Sequence, residues 1–148
     1  MPKYGMTKYE KLLDAVHESE IVYVPTDSHR RPAKAIHIDG DYGVIFNESA
    51  FKTTAERYTA LAHDKAHCDI GAVYKDDAPL YSKEIYEAQA WRETIYQQLP
   101  FYAFRDAMLE CVKYQEYFTE ELADKFGVTE DLVEKAIVYY RDRCGYKW

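Results

Sequence analysis

After Asn47 the apolar residues of this 148-residue chain recur at spacings of three and four, and that helical period continues into the C-terminal segment. Before Asn47, one helical stretch is followed by short β-branched and aromatic runs. A change of period at one position restricts the chain to a small sheet followed by a helical majority, the α+β class. Met6 to Glu20 reads as a helix, with Tyr9, Leu12, Leu13 and Val16 at helical spacing, Thr7 as N-cap and Glu10 three residues on. Ile21 to Val24 reads as a strand ended by Pro25, and the polar stretch Pro25 to Pro32 as a loop. Ala33 to Ile38 and Tyr42 to Asn47 flank Asp39-Gly40, a pair suited to a tight turn because glycine adopts positive φ without steric cost. The expected sheet is therefore antiparallel with three strands.

Further on, Thr53 to Ile70 carries Tyr58, Leu61, Ala62 and Ala66 on one stripe. Ser82 to Gln98 places Ile85, Ala88, Trp91, Ile95 and Leu99 on another, and Pro100 separates it from a helix over Phe101 to Tyr114. Two short helices, Thr119 to Phe126 and Thr129 to Arg143, flank Gly127-Val128. Neither a repeat nor a linker interrupts this order, so residues 1–148 are expected to form one domain.

Charge and composition exclude several classes. Nineteen Lys and Arg against 26 Asp and Glu leave −7, with no basic surplus to release counterions from nucleic acid. Around the Gly127 turn, Glu120, Glu121, Asp124, Glu130, Asp131 and Glu134 face only Lys125 and Lys135. That balance argues against reading the last two helices as a DNA-binding helix-turn-helix. No run of about 18 apolar residues predicts a membrane span, and the N-terminus lacks the pattern of a secretory signal, so a cytoplasmic location is expected. Three scattered cysteines, Cys68, Cys111 and Cys144, make no disulfide framework or cysteine zinc knuckle. Fifteen tyrosines suit half-buried rings and protein contact.

The sharpest local feature is His63-Asp64-Lys65-Ala66-His67. Histidines at i and i+4 share a helix face and can reach one cation. A carboxylate directly after the first histidine is where zinc peptidases keep the base that takes a proton from the attacking water. Here Asp64 stands there, one methylene shorter than glutamate.

Val44-Ile45-Phe46-Asn47 followed by Arg57-Tyr58-Thr59-Ala60-Leu61-Ala62-His63-Asp64-Lys65-Ala66-His67 resembles the ImmA/IrrE family of metallopeptidases. In that family a strand ending in Asn leads to a helix reading roughly R-F-x-L-A-H-E-x-x-H. The order of later parts is similar, down to Glu121-Leu122-Ala123-Asp124-Lys125-Phe126-Gly127-Val128. The resemblance runs from about Ala33 to Tyr140 and is most specific from Ile45 to His67. It implies a helical zincin-like core, a zinc ion held by His63 and His67, and Asp64 at the general-base position. The family's third ligand is a glutamate on the next helix. Aligning Ala88 and Trp91 with the family pattern puts Ile85 there; aligning Pro100 with the helix-ending proline puts Glu87 there, and Glu84 lies beside the first solution.

Two functions follow from the resemblance. The first is a zinc-dependent endopeptidase acting on a regulatory protein such as a repressor, with His63, His67 and Glu87 as ligands and Asp64 as base. The second is a catalytically inactive scaffold, an acidic protein-binding inhibitor of a repressor or nucleic-acid-binding protein, encoded by a phage or mobile element. Asp64 and the Ile85 alignment favour the second, because shortening the base by one methylene displaces its carboxylate by roughly an ångström.

Overall fold

In a computed structural model that describes residues 5–112 and 118–147, the chain is α+β, with six α-helices and one three-stranded sheet among the described residues. It divides into two compact units, and the division between Glu93 and Thr94 falls within the third helix.

In the first unit, α1 (Lys8–Glu18) starts at Thr7, whose Oγ1 accepts from the Glu10 amide at 3.1 Å. It buries Tyr9, Leu12 and Val16, while Leu13 is only partly covered. The strands are β1 (Val22–Pro25), β2 (Ala33–Ile38) and β3 (Asp41–Phe46). Asp39 and Gly40, at φ 53° and 84°, make the expected tight turn between β2 and β3.

The sheet is mixed, not antiparallel as expected: its order is β1-β3-β2, with β2 antiparallel and β1 parallel to β3. A two-residue turn forces β2 and β3 to be neighbours, but the long loop from Pro25 to Pro32 imposes no such adjacency. β1 therefore pairs with the other edge of the hairpin, which leaves β3 central, with Val44 and Phe46 fully buried. The loop is pinned back onto this strand: the Thr26 amide donates to the Phe46 carbonyl at 3.0 Å and the Asn47 amide to the Pro32 carbonyl at 2.6 Å. The buried Asn47 side chain adds a bond from Nδ2 to the Ser28 carbonyl at 3.0 Å, and its Oδ1 accepts from Ser49.

A single 3₁₀ turn (Glu48–Ala50) leads to α2 (Thr54–Asp69), capped by Thr53, whose Oγ1 accepts from the Glu56 amide at 3.1 Å. Tyr58, Leu61, Ala62 and Ala66 are buried as their spacing predicts, and α2 packs on β2, β3 and α1. Arg57 Nε donates to the Glu48 carbonyl at 3.0 Å, tying the helix to the turn before it. Burial of each of those apolar side chains removes enough surface from water to stabilise the packing by about 1.5–3 kcal/mol for the larger ones.

The helix α3 (Leu80–Gln98) begins in the first unit. Its expected stripe holds at Ile95 and Leu99, which are buried, but not in the first half: Ile85 is 38% exposed and Ala88 is exposed, while Ala90 is fully buried. Side chains at 87, 90 and 91 share a face by helical periodicity, so Trp91 keeps its expected place while Glu87 and Ala90 take the inward positions that the apolar reading assigned to Ile85 and Ala88.

The second unit contains α4 (Phe101–Val112), α5 (Phe118–Phe126) and α6 (Glu130–Asp142), with α5 packed on both α4 and α6. The expected end of α4 at Tyr114 lies outside the described residues. Phe104, Leu122, Leu132 and Val133 are fully buried, and the Tyr140 hydroxyl donates to the Leu99 carbonyl at 2.6 Å. Gly127, at φ 67°, ends α5, and Thr129 caps α6 through the Leu132 amide. No helix of the described residues is long and apolar enough to cross a membrane.

Candidate metal centre

α2 places His63 and His67 one turn apart, and α3 brings Glu87 to them. His63 Nε2 lies 2.9 Å from Glu87 Oε2, His67 Nε2 lies 3.1 Å from Glu87 Oε1, and the two Nε2 atoms are 3.2 Å apart. All three residues belong to the first unit.

Two imidazole nitrogens and a carboxylate aimed at one another form a donor set in search of a positive charge. His67 makes the point by its other nitrogen. A carbonyl can only accept, so the 2.6 Å contact with Ala72 O is a bond donated by His67 Nδ1–H. In the neutral ring this leaves the Nε2 lone pair facing His63 and Glu87, the tautomer a metal ligand needs. Ligand atoms about 2.0–2.1 Å from a tetrahedral ion lie roughly 3.3 Å from each other, near the spacings observed. The His63–His67–Glu87 group could hold a metal ion.

The end of α2 sets this geometry. Gly71, at φ 69°, reverses the chain so that the Ala72 amide caps the His67 carbonyl at 2.9 Å while the Ala72 carbonyl accepts from the His67 ring. Further side chains hold the other two members. Tyr74 donates its hydroxyl to Glu87 Oε1 at 2.7 Å, and the Trp91 ring stacks on His63 at 3.7 Å and 17°. Sequence reasoning placed Trp91 in the core and passed over Tyr74 in its loop. Only the four-residue interval from Glu87 to Trp91 pointed to a shared face.

The electrostatics follow from burial and these bonds. Partial burial opposes ionisation of Glu87, but bonds from His63, from the protonated His67 ring and from Tyr74 outweigh it and hold its carboxyl below the ordinary range. Burial likewise works against a charged His67, and the bond to Glu87, the Ala72 carbonyl and the Asp64 charge reverse that and raise it. Asp64 is 6% exposed, and its Oδ2 has no hydrogen-bond partner among the described residues. Burial pushes Asp64 up to about 7, with the Glu87 charge adding to it and the His67 charge opposing it.

Above the cluster is a cavity of about 480 Å³ whose walls include Asp64, Trp91, Arg30 and residues 33–35 of β2. Of the sequence candidates, His63, His67 and Glu87 converge and Asp64 lines the same cavity; Glu84 and Ile85 are exposed on α3. Cys68 follows His67 but turns away from it, burying its thiol against the Gly43 carbonyl at 3.4 Å. Neither a family model, a curated protein nor a solved structure matches this chain.

Proposed function

We propose that the chain is a zinc-dependent, cytoplasmic peptidase of the ImmA/IrrE type, acting on a regulatory protein such as a repressor. The observation that carries the reading is the convergence of His63, His67 and Glu87 beside a buried, unpartnered carboxyl oxygen of Asp64. His63, His67 and Glu87 would hold the ion. Zinc there would supply Lewis-acid polarisation of a peptide carbonyl and make water more acidic.

The chain's own residues supply the rest. Asp64 takes a proton from the attacking water and returns it to the leaving amine; a carboxyl near 7 suits both tasks at neutral pH. Tyr74 and Trp91 fix Glu87 and His63 so that they need not reorganise. In the order β1-β3-β2, the outer edge of β2 pairs with no other strand among the described residues, and residues 33–35 of that strand line the cavity. An extended substrate segment would add to this edge through main-chain hydrogen bonds.

The rival reading, an inactive acidic inhibitor, is favoured by the depth of Asp64, since a base only 6% exposed meets solvent water poorly. The discriminating experiment is metal analysis of untagged protein, purified without chelator, beside a His63→Ala/His67→Ala double variant. About one equivalent of zinc, lost in the variant, supports a metal centre, and cleavage of a repressor or unstructured protein that Asp64→Ala abolishes supports the peptidase. A well-folded, metal-free protein whose biological effect survives Asp64→Ala would establish the inhibitor instead.

A further inference from the structure

We propose that the cavity above the His63–His67–Glu87 cluster selects a peptide segment bearing a carboxylate, recognised by Arg30, Arg31 and Lys34 at its rim. The inference rests on the peptidase reading only in taking this cavity as the place where substrate lies.

The chain carries −7 overall, yet the walls of this cavity include three cationic side chains and one surface carboxylate, Asp76. Asp76 bonds Arg31 at 2.5 Å and Lys34 at 3.0 Å, and Lys83 donates to the Asp76 backbone carbonyl. One carboxylate thus answers two cations directly, and no hydrogen bond or ion pair engages the exposed Arg30 side chain among the described residues. The acidic groups deeper in the cavity do not cancel this excess. Glu87 is engaged by two histidines and a tyrosine, and Asp64 is buried at the floor. An entering segment therefore meets positive charge first, and cleft walls of low dielectric strengthen its pull.

The loop presenting the arginines is built, not slack. Both its ends bond β3 or Asn47, the Ser28 carbonyl accepts from Asn47, and the Arg31 amide donates to Ser28 Oγ at 3.2 Å. Lys34 lies on β2, the strand whose outer edge lines the cavity, so a segment lying along that edge passes the rim cations. Nucleic acid is the weaker fit, because phosphate tracking needs a run of cations and this chain offers three at one mouth within an acidic whole. The shared chemistry is a carboxylate, either of an Asp or Glu side chain or of a peptide C-terminus.

The test uses fluorescence anisotropy on the full, zinc-loaded chain with four labelled probes of one uncharged host peptide. One carries two internal glutamates and an amidated end, one carries two lysines, one is uncharged with a free C-terminal carboxylate, and one is uncharged and amidated. A single-stranded oligonucleotide is the fifth probe. We expect the glutamate or free-carboxylate peptide to bind about tenfold more tightly than the lysine peptide at low salt. Arg30→Glu should erase the difference with Tm and zinc content unchanged; whichever carboxylate probe binds identifies the source. Equal binding of acidic and lysine peptides, a preference that survives Arg30→Glu and Lys34→Glu, or an oligonucleotide that outcompetes both overturns the proposal. Charge-selective binding without cleavage leaves the proposal standing and removes the peptidase; cleavage without charge selection does the reverse.

Discussion

The ring of His67 donates from Nδ1 to the carbonyl of Ala72, 2.6 Å away, and that carbonyl is where it is because Gly71 ends α2 in a left-handed turn. The helix cap and the orientation of a candidate ligand are thus one local structure, and a change to the cap reaches the metal cluster without touching it.

Gly71→Ala should therefore damage both. A Cβ there would lie 3.0 Å from the Tyr42 hydroxyl, on a backbone at φ 69° that alanine adopts poorly. We expect a loss of about 1–2 kcal/mol in thermal or denaturant unfolding. Zinc affinity, measured by chelator competition, should weaken as well, which a purely global loss of stability would not produce in the fully folded population.

Substitutions on α3 separate the alternatives for the third ligand. Glu87→Ala should lower zinc content well below the roughly one equivalent expected of a three-ligand site, while Glu84→Ala, on an exposed position, should leave it unchanged. Tyr74→Phe removes the 2.7 Å bond to Glu87 and should weaken zinc by about 10- to 100-fold. Equal behaviour of the Glu84 and Glu87 variants would refute the assignment.

Asp64 gives the chain a pH dependence when metal is removed by chelator. Its folded value, about 7, lies above the ordinary 3.8, so between those values the native state binds more protons than the unfolded state. Stability therefore falls as pH rises through this window, and the penalty is complete above about 7. Asp64→Asn, which cannot ionise, should stabilise the metal-free protein at pH 8 by at most about 4 kcal/mol and change little at pH 4. Unfolding curves at both pH values check this, and a greater gain at pH 4 would show the sign to be wrong.

The cysteines should react in order of exposure. Burial pushes the Cys68 thiol up to about 12, with the Asp64 and Asp69 charges adding to it, whereas Cys144 is exposed. Ellman's reagent on the native protein should label Cys144 rapidly and Cys68 only after denaturation. Fast labelling of Cys68 in the folded chain would mean that α2 opens from β3.

Much of this protein was legible in local sequence. The Thr7 cap, the Asp39-Gly40 turn, the α2 core stripe and the shared face of His63 and His67 all depend on residues within one turn of each other. Such contacts are dictated by backbone geometry alone.

Three features were decided only by the tertiary structure. β1 pairs parallel to β3 because the loop between Pro25 and Pro32 leaves its partner to long-range packing. α3 turns Glu87 and not Ile85 to the histidines, a choice that the two alignments of this helix left open. Tyr74 reaches Glu87 from a loop with no period to read. Local steric rules fix which residues share a face; which face meets what is chosen by burial and by the pairing of charges far apart in the chain, and only the folded chain brings those together.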